Sequence, residues 1–341
     1  MRKRIRLFFL VLMSLSCILF VLAQSRVGNQ AEVFVSGIDS PFGITFDKDG
    51  SLLCTAEKSD GQGIILRITS SGMVAPIIES PKYQNGEDGM GDTYLLTRLG
   101  PISKLDDNTV ASLDNSTGTL DVVDLPKPVL LKEPLFTDGR GPSYDMATGK
   151  VITIHSMASD RDNKTLFVAG PDNRSSFEIM NNIHPGLLVL KLDFGSRPIT
   201  ITTNENKRVL APLSSTTFLK SSEYSSPQVT AMAVSKGIVV IALRGEGLLK
   251  IGPNQSISNI PSNTFKTSDV FGLTFDADGA LYVAASQNGT NGTVYKVAAN
   301  NGRIDVLAKG FKVPAGLAIR EQTLYIADSA AGQILRIRLH R

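Results

Sequence analysis

From residue 42 onward the hydrophobic and polar positions repeat one rhythm. A short apolar run is followed by a polar turn, a second apolar run, an alternating run, and a more polar one. It is clearest in GITF, LLCTAE and GIILRI (43–68), in DVFGLTF, LYVAAS and GTVYKV (269–297), and in GLAI, LYIAD and QILRIR (316–338). Fully apolar runs suit strands buried on both faces, and alternation suits half-exposed ones. The turns DKDG (47–50) and DADG (276–279) carry Asp-Gly pairs, which accept the positive φ of tight hairpins. Gly43, Gly272 and Gly316 fall at the same point of each unit, and the last two are 44 residues apart.

A period in the forties with several short strands per unit predicts propeller blades. The expectation is an all-β, six-bladed β-propeller of four-stranded antiparallel blades. Blade one covers 42–78. Blade two (92–132) uses TYLLTR, NTVASLD, GTLDVVDL and VLLKEPLF. Blade three uses VITIHSM, TLFVAG, GLLVLKLD and RPITITT, and its 172–185 insertion is expected over the channel mouth. Blade four begins at VTAMAV, and blades five and six are the copies already quoted. The last unit ends after three strands, whereas AEVFVSG (31–37) is a strand without a blade. That segment is expected to pair with 333–339 and close the last blade, removing an open sheet edge.

The first 23 residues read differently. Arg2, Lys3, Arg4 and Arg6 precede an apolar run over 7–23, with small residues at Val21 and Ala23, the pattern of a secretory signal peptide cleaved before Gln24. An uncleaved anchor is the alternative. The domains are then 1–23, signal, and 24–341, one propeller, secreted to an extracellular or periplasmic space with no further membrane span. Without the signal, 31 Lys and Arg face 32 Asp and Glu, so the basic excess belongs to the leader and nucleic acid is excluded as a partner. Cys54 then remains alone, which rules out an internal disulfide; mid-strand, it reads as a small core residue. Sequons at Asn115, Asn163, Asn173, Asn254, Asn288 and Asn291 mark polar surface loops.

Gly-x3-Pro-x-Gly (37–43 and 310–316), Asp-x-Asp-Gly, Leu-Tyr-[Val/Ile]-Ala and Gly-Gln-Ile-Leu-Arg-Ile resemble NHL repeats and the related six-bladed propellers of the gluconolactonase and strictosidine-synthase-like group. The likeness covers blades one, five and six, extends partly to blade four, and fades over 81–227. A gluconolactonase-type relative would imply a divalent metal in the central channel, held by Glu, Asn and Asp from different blades. The chain departs from that pattern: it has no Trp, no Glu-Gly-Pro-x-Trp opening and no Ser-Asn-Gly segment before a Pro-Asp-Gly turn. A quinone-dependent sugar dehydrogenase is a third reading, since its propellers have a similar Pro-x-Gly opening.

Propeller ligands usually sit where the loops between second and third strands and between blades converge. Those loops supply the candidates Glu57, Asp88, Asp114, Asn173, His184, Arg244 and Asp328. Converging oxygens suit a divalent ion such as Ca²⁺, and the bland reading is that such residues cap turns. The stretch NGEDGMGD (85–92) lacks the spacing of a calcium loop. His155, inside an apolar run, reads as a packed histidine. No Gly-x-Ser-x-Gly elbow accompanies the serine-rich 214–227, which argues against a serine hydrolase. The sequence therefore favours a monomeric, non-catalytic propeller that binds a small molecule, glycan or protein at its loop-rich face. A metal-dependent lactonase or ester hydrolase is the alternative.

Overall fold

A computed structural model describes residues 31–79, 82–83, 93–94, 99–114, 119–125, 129–131, 143–145, 150–152, 155–160, 165–171, 186–193, 201–204, 207–210, 214–224 and 227–339. The architecture is an all-β propeller of four-stranded antiparallel blades. In chain order, β1 (Glu32–Ser36) precedes a sheet of β2 (Ile44–Phe46), β3 (Leu52–Glu57), β4 (Gly63–Ile68) and β5 (Val74–Glu79). A short hairpin, β6 (Lys82–Tyr83) with β7 (Thr93–Tyr94), leads to the sheet of β8 (Leu99–Lys104), β9 (Thr109–Asp114), β10 (Thr119–Asp124) and β11 (Val129–Leu131). A second hairpin, β12 (Ser143–Asp145) with β13 (Lys150–Ile152), precedes β14 (Ser156–Asp160), β15 (Thr165–Pro171) and β16 (Leu187–Asp193). The hairpin of β17 (Ile201–Asn204) and β18 (Lys207–Leu210) is inserted before β19 (Ser214–Ser221), which completes that sheet. The next sheet is β20 (Val229–Ser235), β21 (Ile238–Leu243), β22 (Gly247–Ile251) and β23 (Ile257–Ile260), followed by the one-turn helix α1 (Asn263–Lys266). Then come β24 (Asp269–Phe275), β25 (Leu281–Gln287), β26 (Thr290–Val297) and β27 (Ile304–Phe311), and finally β28 (Pro314–Arg320), β29 (Thr323–Asp328) and β30 (Gln333–Arg338). β1 lies beside β30, with Glu32 opposite Arg336 and Ser36 opposite Gln333.

The first strands β2, β8, β14, β20, β24 and β28 lie side by side around the centre, and β28 also touches β2. Their glycines explain the approach. A methyl group on Gly272 would strike the Ala315 carbonyl oxygen, and one on Gly316 the Phe42 carbonyl oxygen; one on Gly43 would come 2.6 Å from the Gly100 oxygen. The repeated glycine is therefore a steric requirement of neighbouring backbones. Between sheets the core is apolar: Leu53 and Ile65 join Ile102, Val110 and Val123, and Phe265 of α1 fills the seam between the β20–β23 and β24–β27 sheets.

Two middle blades depart from the sequence reading. TYLLTR does not supply an inner strand; Thr93 and Tyr94 belong to the short hairpin, and LGPISK takes the place. Pro101 masked that strand, yet it is tolerated because an inner strand has a ladder partner on one side only. In blade three, VITIHSM is split between β13 and β14. Of the RPITITT segment, Ile201 to Thr203 in β17 pair with β18, and the strand beside β16 is β19. β19 fills the outer position, where Phe218 and Leu219 are buried and the Phe218 ring stands edge-on to Phe167 at 5.0 Å. Apolar anchoring, not alternation, selects the outer strand.

Candidate functional site

Each inner strand leaves one edge unpaired, and these edges wall a central cavity of about 520 Å³. Phe42, Phe271 and Ala315 stand toward the end where the inner strands begin. Ser235, Lys236 and Ala277 stand at the hairpin end. Threonine and serine side chains (Thr45, Ser103, Ser159, Thr274) and Met157 and Met232 line the wall between. The Ser156 hydroxyl is fully buried in this wall and has no hydrogen-bond partner among the described residues. Its oxygen is closed even to water, so it lies behind the cavity wall and offers no bond to a molecule in the channel.

Among the described residues, the charged members of the lining are Asp160, Lys236 and Asp276, contributed by three successive sheets. Asp160 is buried and accepts the Gly237 N–H at 3.1 Å. Asp276 accepts the Ala280 N–H at 2.8 Å and the Tyr282 hydroxyl at 3.2 Å. Burial, with Asp276 beside it, pushes the Tyr282 hydroxyl well above the usual phenol range. Lys236 is exposed and makes no ion pair among the described residues.

The wall is stiffened between sheets. The buried Thr55 hydroxyl donates to the Gly100 carbonyl at 2.7 Å and accepts from the Gly43 N–H at 2.8 Å. Just beyond, Asp47 pairs with Lys104 of the neighbouring sheet and with Arg67 at 2.8 Å. Both Asp47 and Lys104 are almost fully buried.

None of the loop-face candidates among the described residues lines this cavity. Glu57 ends β3 and Asp114 ends β9, paired with Leu99 and Thr119. Arg244 follows β21 and binds Asp269 at 3.0 Å and the Gln228 side chain at 3.1 Å, tying one blade to the next. Asp328 is buried, and its two oxygens accept the Lys312 and Val313 N–H groups, each at 2.8 Å. Its carboxylate thus caps the connection into β28, the turn-capping reading. Asp88, Asn173 and His184 lie outside the described residues, as do 84–92 and 172–185. Burial holds the His155 imidazole below its usual range, so it stays neutral at neutral pH. Among the described residues no three His, Cys, Asp or Glu side chains are grouped to hold a metal ion, and the engagement of Asp328 with backbone N–H groups does not fit a ligand role. No step through a metal follows from this part of the site. Sequence reasoning missed the channel hydroxyls and Lys236 because scattered Ser and Thr in inner strands carry no motif.

The chain is a β-propeller, and the solved structures that resemble it include gluconolactonase-like and related propellers. No family model matches the sequence, and neither does any curated protein. The PQQ-bound aldose sugar dehydrogenase of Streptomyces coelicolor superposes with TM-score 0.55 at 13% identity, over 91% of this chain and 98% of that one. A candidate gluconolactonase gives TM-score 0.55 at 11% identity, over 92% and 95%. A chain of a nidogen/laminin complex gives 0.50 at 12% identity, over 79% and 80%. At such identities the likeness is one of fold, and it spans both enzymes and a binding protein.

Proposed function

We propose that this chain is an exported, six-bladed propeller that binds a small ligand through its central channel without transforming it, with β1 as the outer strand of the last blade. The observation that carries the reading is the cavity itself. It is walled by unpaired strand edges and by Thr and Ser residues, and both of its carboxylates among the described residues are already engaged. Its size suits a small organic molecule. The tie of β1 to β30 and the ring of inner strands support the blade count and its closure.

The test is an NMR fragment screen on the chain purified from an exporting host, repeated on T274W, in which an indole fills the channel. Binding that disappears in T274W while thermal unfolding is unchanged supports the reading; hits indifferent to T274W defeat it. Product formation from any hit would restore the hydrolase alternative. Mass spectrometry of the exported chain should find Gln24 at its start, and an intact Met1 defeats the cleaved-leader part of the proposal.

A further inference from the structure

Among the described residues, the charge of the channel wall is confined to the end where first and second strands are joined by hairpins, opposite the face where the described loop candidates lie. Lys236 sits there in the turn between β20 and β21, with Asp160 and Asp276 on the sheets to either side. Its backbone is left-handed, with φ 51°, and the following Gly237 has φ 74°. Such a two-residue hairpin turn favours Asn-Gly, and a long side chain at its first position is strained. Strain of this kind is held where the surroundings over-determine it, and here Asp160 grips the Gly237 N–H from the adjacent sheet. The strained turn is thus fixed from outside its own blade, with its ammonium at the channel mouth.

Partners divide the three charges unequally. Asp160 and Asp276 accept hydrogen bonds from Gly237, Ala280 and Tyr282. The Lys236 ammonium, with three donors, has no ion pair among the described residues. Next to these charges, Ser159, Ser235 and Thr274 line the wall and offer hydroxyls to an uncharged body.

We infer that the hairpin-end mouth is an anion subsite, in which Lys236 receives the single carboxylate of a hydroxylated organic acid whose body lies along the channel beside Ser159, Ser235 and Thr274. This rests on the channel-binding reading and names its ligand class. The flanking carboxylates set a limit: one negative charge is offset by Lys236, whereas a second would face Asp160 and Asp276 unpaired, so dicarboxylates, tricarboxylates and phosphate are rejected.

The experiment is calorimetric titration of the full exported chain with quinate, citrate, inorganic phosphate, choline and myo-inositol, on wild type, K236N, K236R and T274W. Asn adopts the left-handed turn readily, so K236N removes the ammonium without threatening the fold. Quinate should bind wild type and K236R within about threefold of each other and bind K236N at least about tenfold more weakly. T274W should abolish binding. Quinate binding unchanged in K236N, or preference for citrate, phosphate or choline, overturns the assignment. Binding of myo-inositol that is lost in T274W yet indifferent to K236N overturns the anion subsite and leaves the channel reading standing. Failure of every probe to bind wild type overturns the subsite, and fragment hits insensitive to T274W bring down the channel reading separately.

Discussion

Arg336 of β30 grips the carboxylate of Glu32 on β1, 304 positions earlier in the chain, through Nε at 3.1 Å and Nη2 at 2.9 Å. Its guanidinium also lies over the Phe34 ring, and Phe34, Tyr325 and Phe46 stack edge to face at 5.4 and 5.2 Å. The joint between the two ends of the described chain therefore combines a charge pair with an aromatic ladder reaching the inner strand β2.

The Glu32 carboxyl is held below the usual carboxylate range, first by its hydrogen bond from Arg336 and then by that residue's charge. A depressed folded value contributes stability above the unfolded value and loses it as pH falls through the folded one. Amide exchange along β1 should therefore accelerate as pH falls from neutral to about 3, relative to intrinsic rates, and E32Q should flatten that dependence. Equal pH dependence in wild type and E32Q would remove the pair from the joint.

Val35 is the buried residue of β1, packed with Ile44, Phe46 and Ile334. V35A should lower unfolding stability by about 1.5–2 kcal/mol in urea titration, the value of two buried carbon groups. Removing 24–36 should cost several kcal/mol through lost ladder bonds as well. A truncated chain as stable as wild type would mean that β1 only decorates the last sheet.

G272A and G316A each thrust a methyl group into a carbonyl oxygen of the next inner strand. Each should cost about 2–3 kcal/mol in chemical denaturation, the usual penalty of overpacking a rigid contact. A neutral effect would show that the inner strands slide apart freely.

Lys104 and Asp47 form a nearly dry pair across two sheets. K104M leaves Asp47 with Arg67, itself one-third exposed, and should cost about 3 kcal/mol, whereas adding D47N should recover much of that loss. Simple additivity of the two changes would show that the pair is not coupled.

Burial pushes the Cys54 thiol up to about 12 from 9.0. A raised folded value contributes stability that is full below about pH 9 and is lost as pH rises toward 12. The native chain should resist iodoacetamide at pH 8 and react only on unfolding, and C54A should lessen alkaline destabilisation. Fast alkylation of folded protein would contradict its position mid-strand in β3.

Much of this fold was written in the chain because its rules are backbone rules. Gly43, Gly272 and Gly316 recur since no other residue fits beside a neighbouring carbonyl, and Asp-Gly turns recur since the hairpins need positive φ. The middle blades were harder to read. Pro101 hid β8, and the β17–β18 hairpin imitated an outer strand whose place β19 takes by burying Phe218 and Leu219. The site was least legible. Acidic loop residues drew attention by charge, yet Asp328 spends its oxygens on backbone N–H groups, whereas the channel is shaped by unpaired edges and single hydroxyls. Lys236 looked ordinary in sequence; its left-handed backbone and place in the wall make it conspicuous only in three dimensions.

The antiparallel register of β1 against β30 also sets how the molecule meets tension. Glu32 faces Arg336, so the chain leading into β1 and the chain leaving β30 emerge at the same end of the pair. Antiparallel ladder bonds run across the strands, so a pull applied through both flanking segments loads them one after another, as in opening a zipper, and never all together in shear. The joint would then part at modest force, beginning with the Glu32–Arg336 clasp.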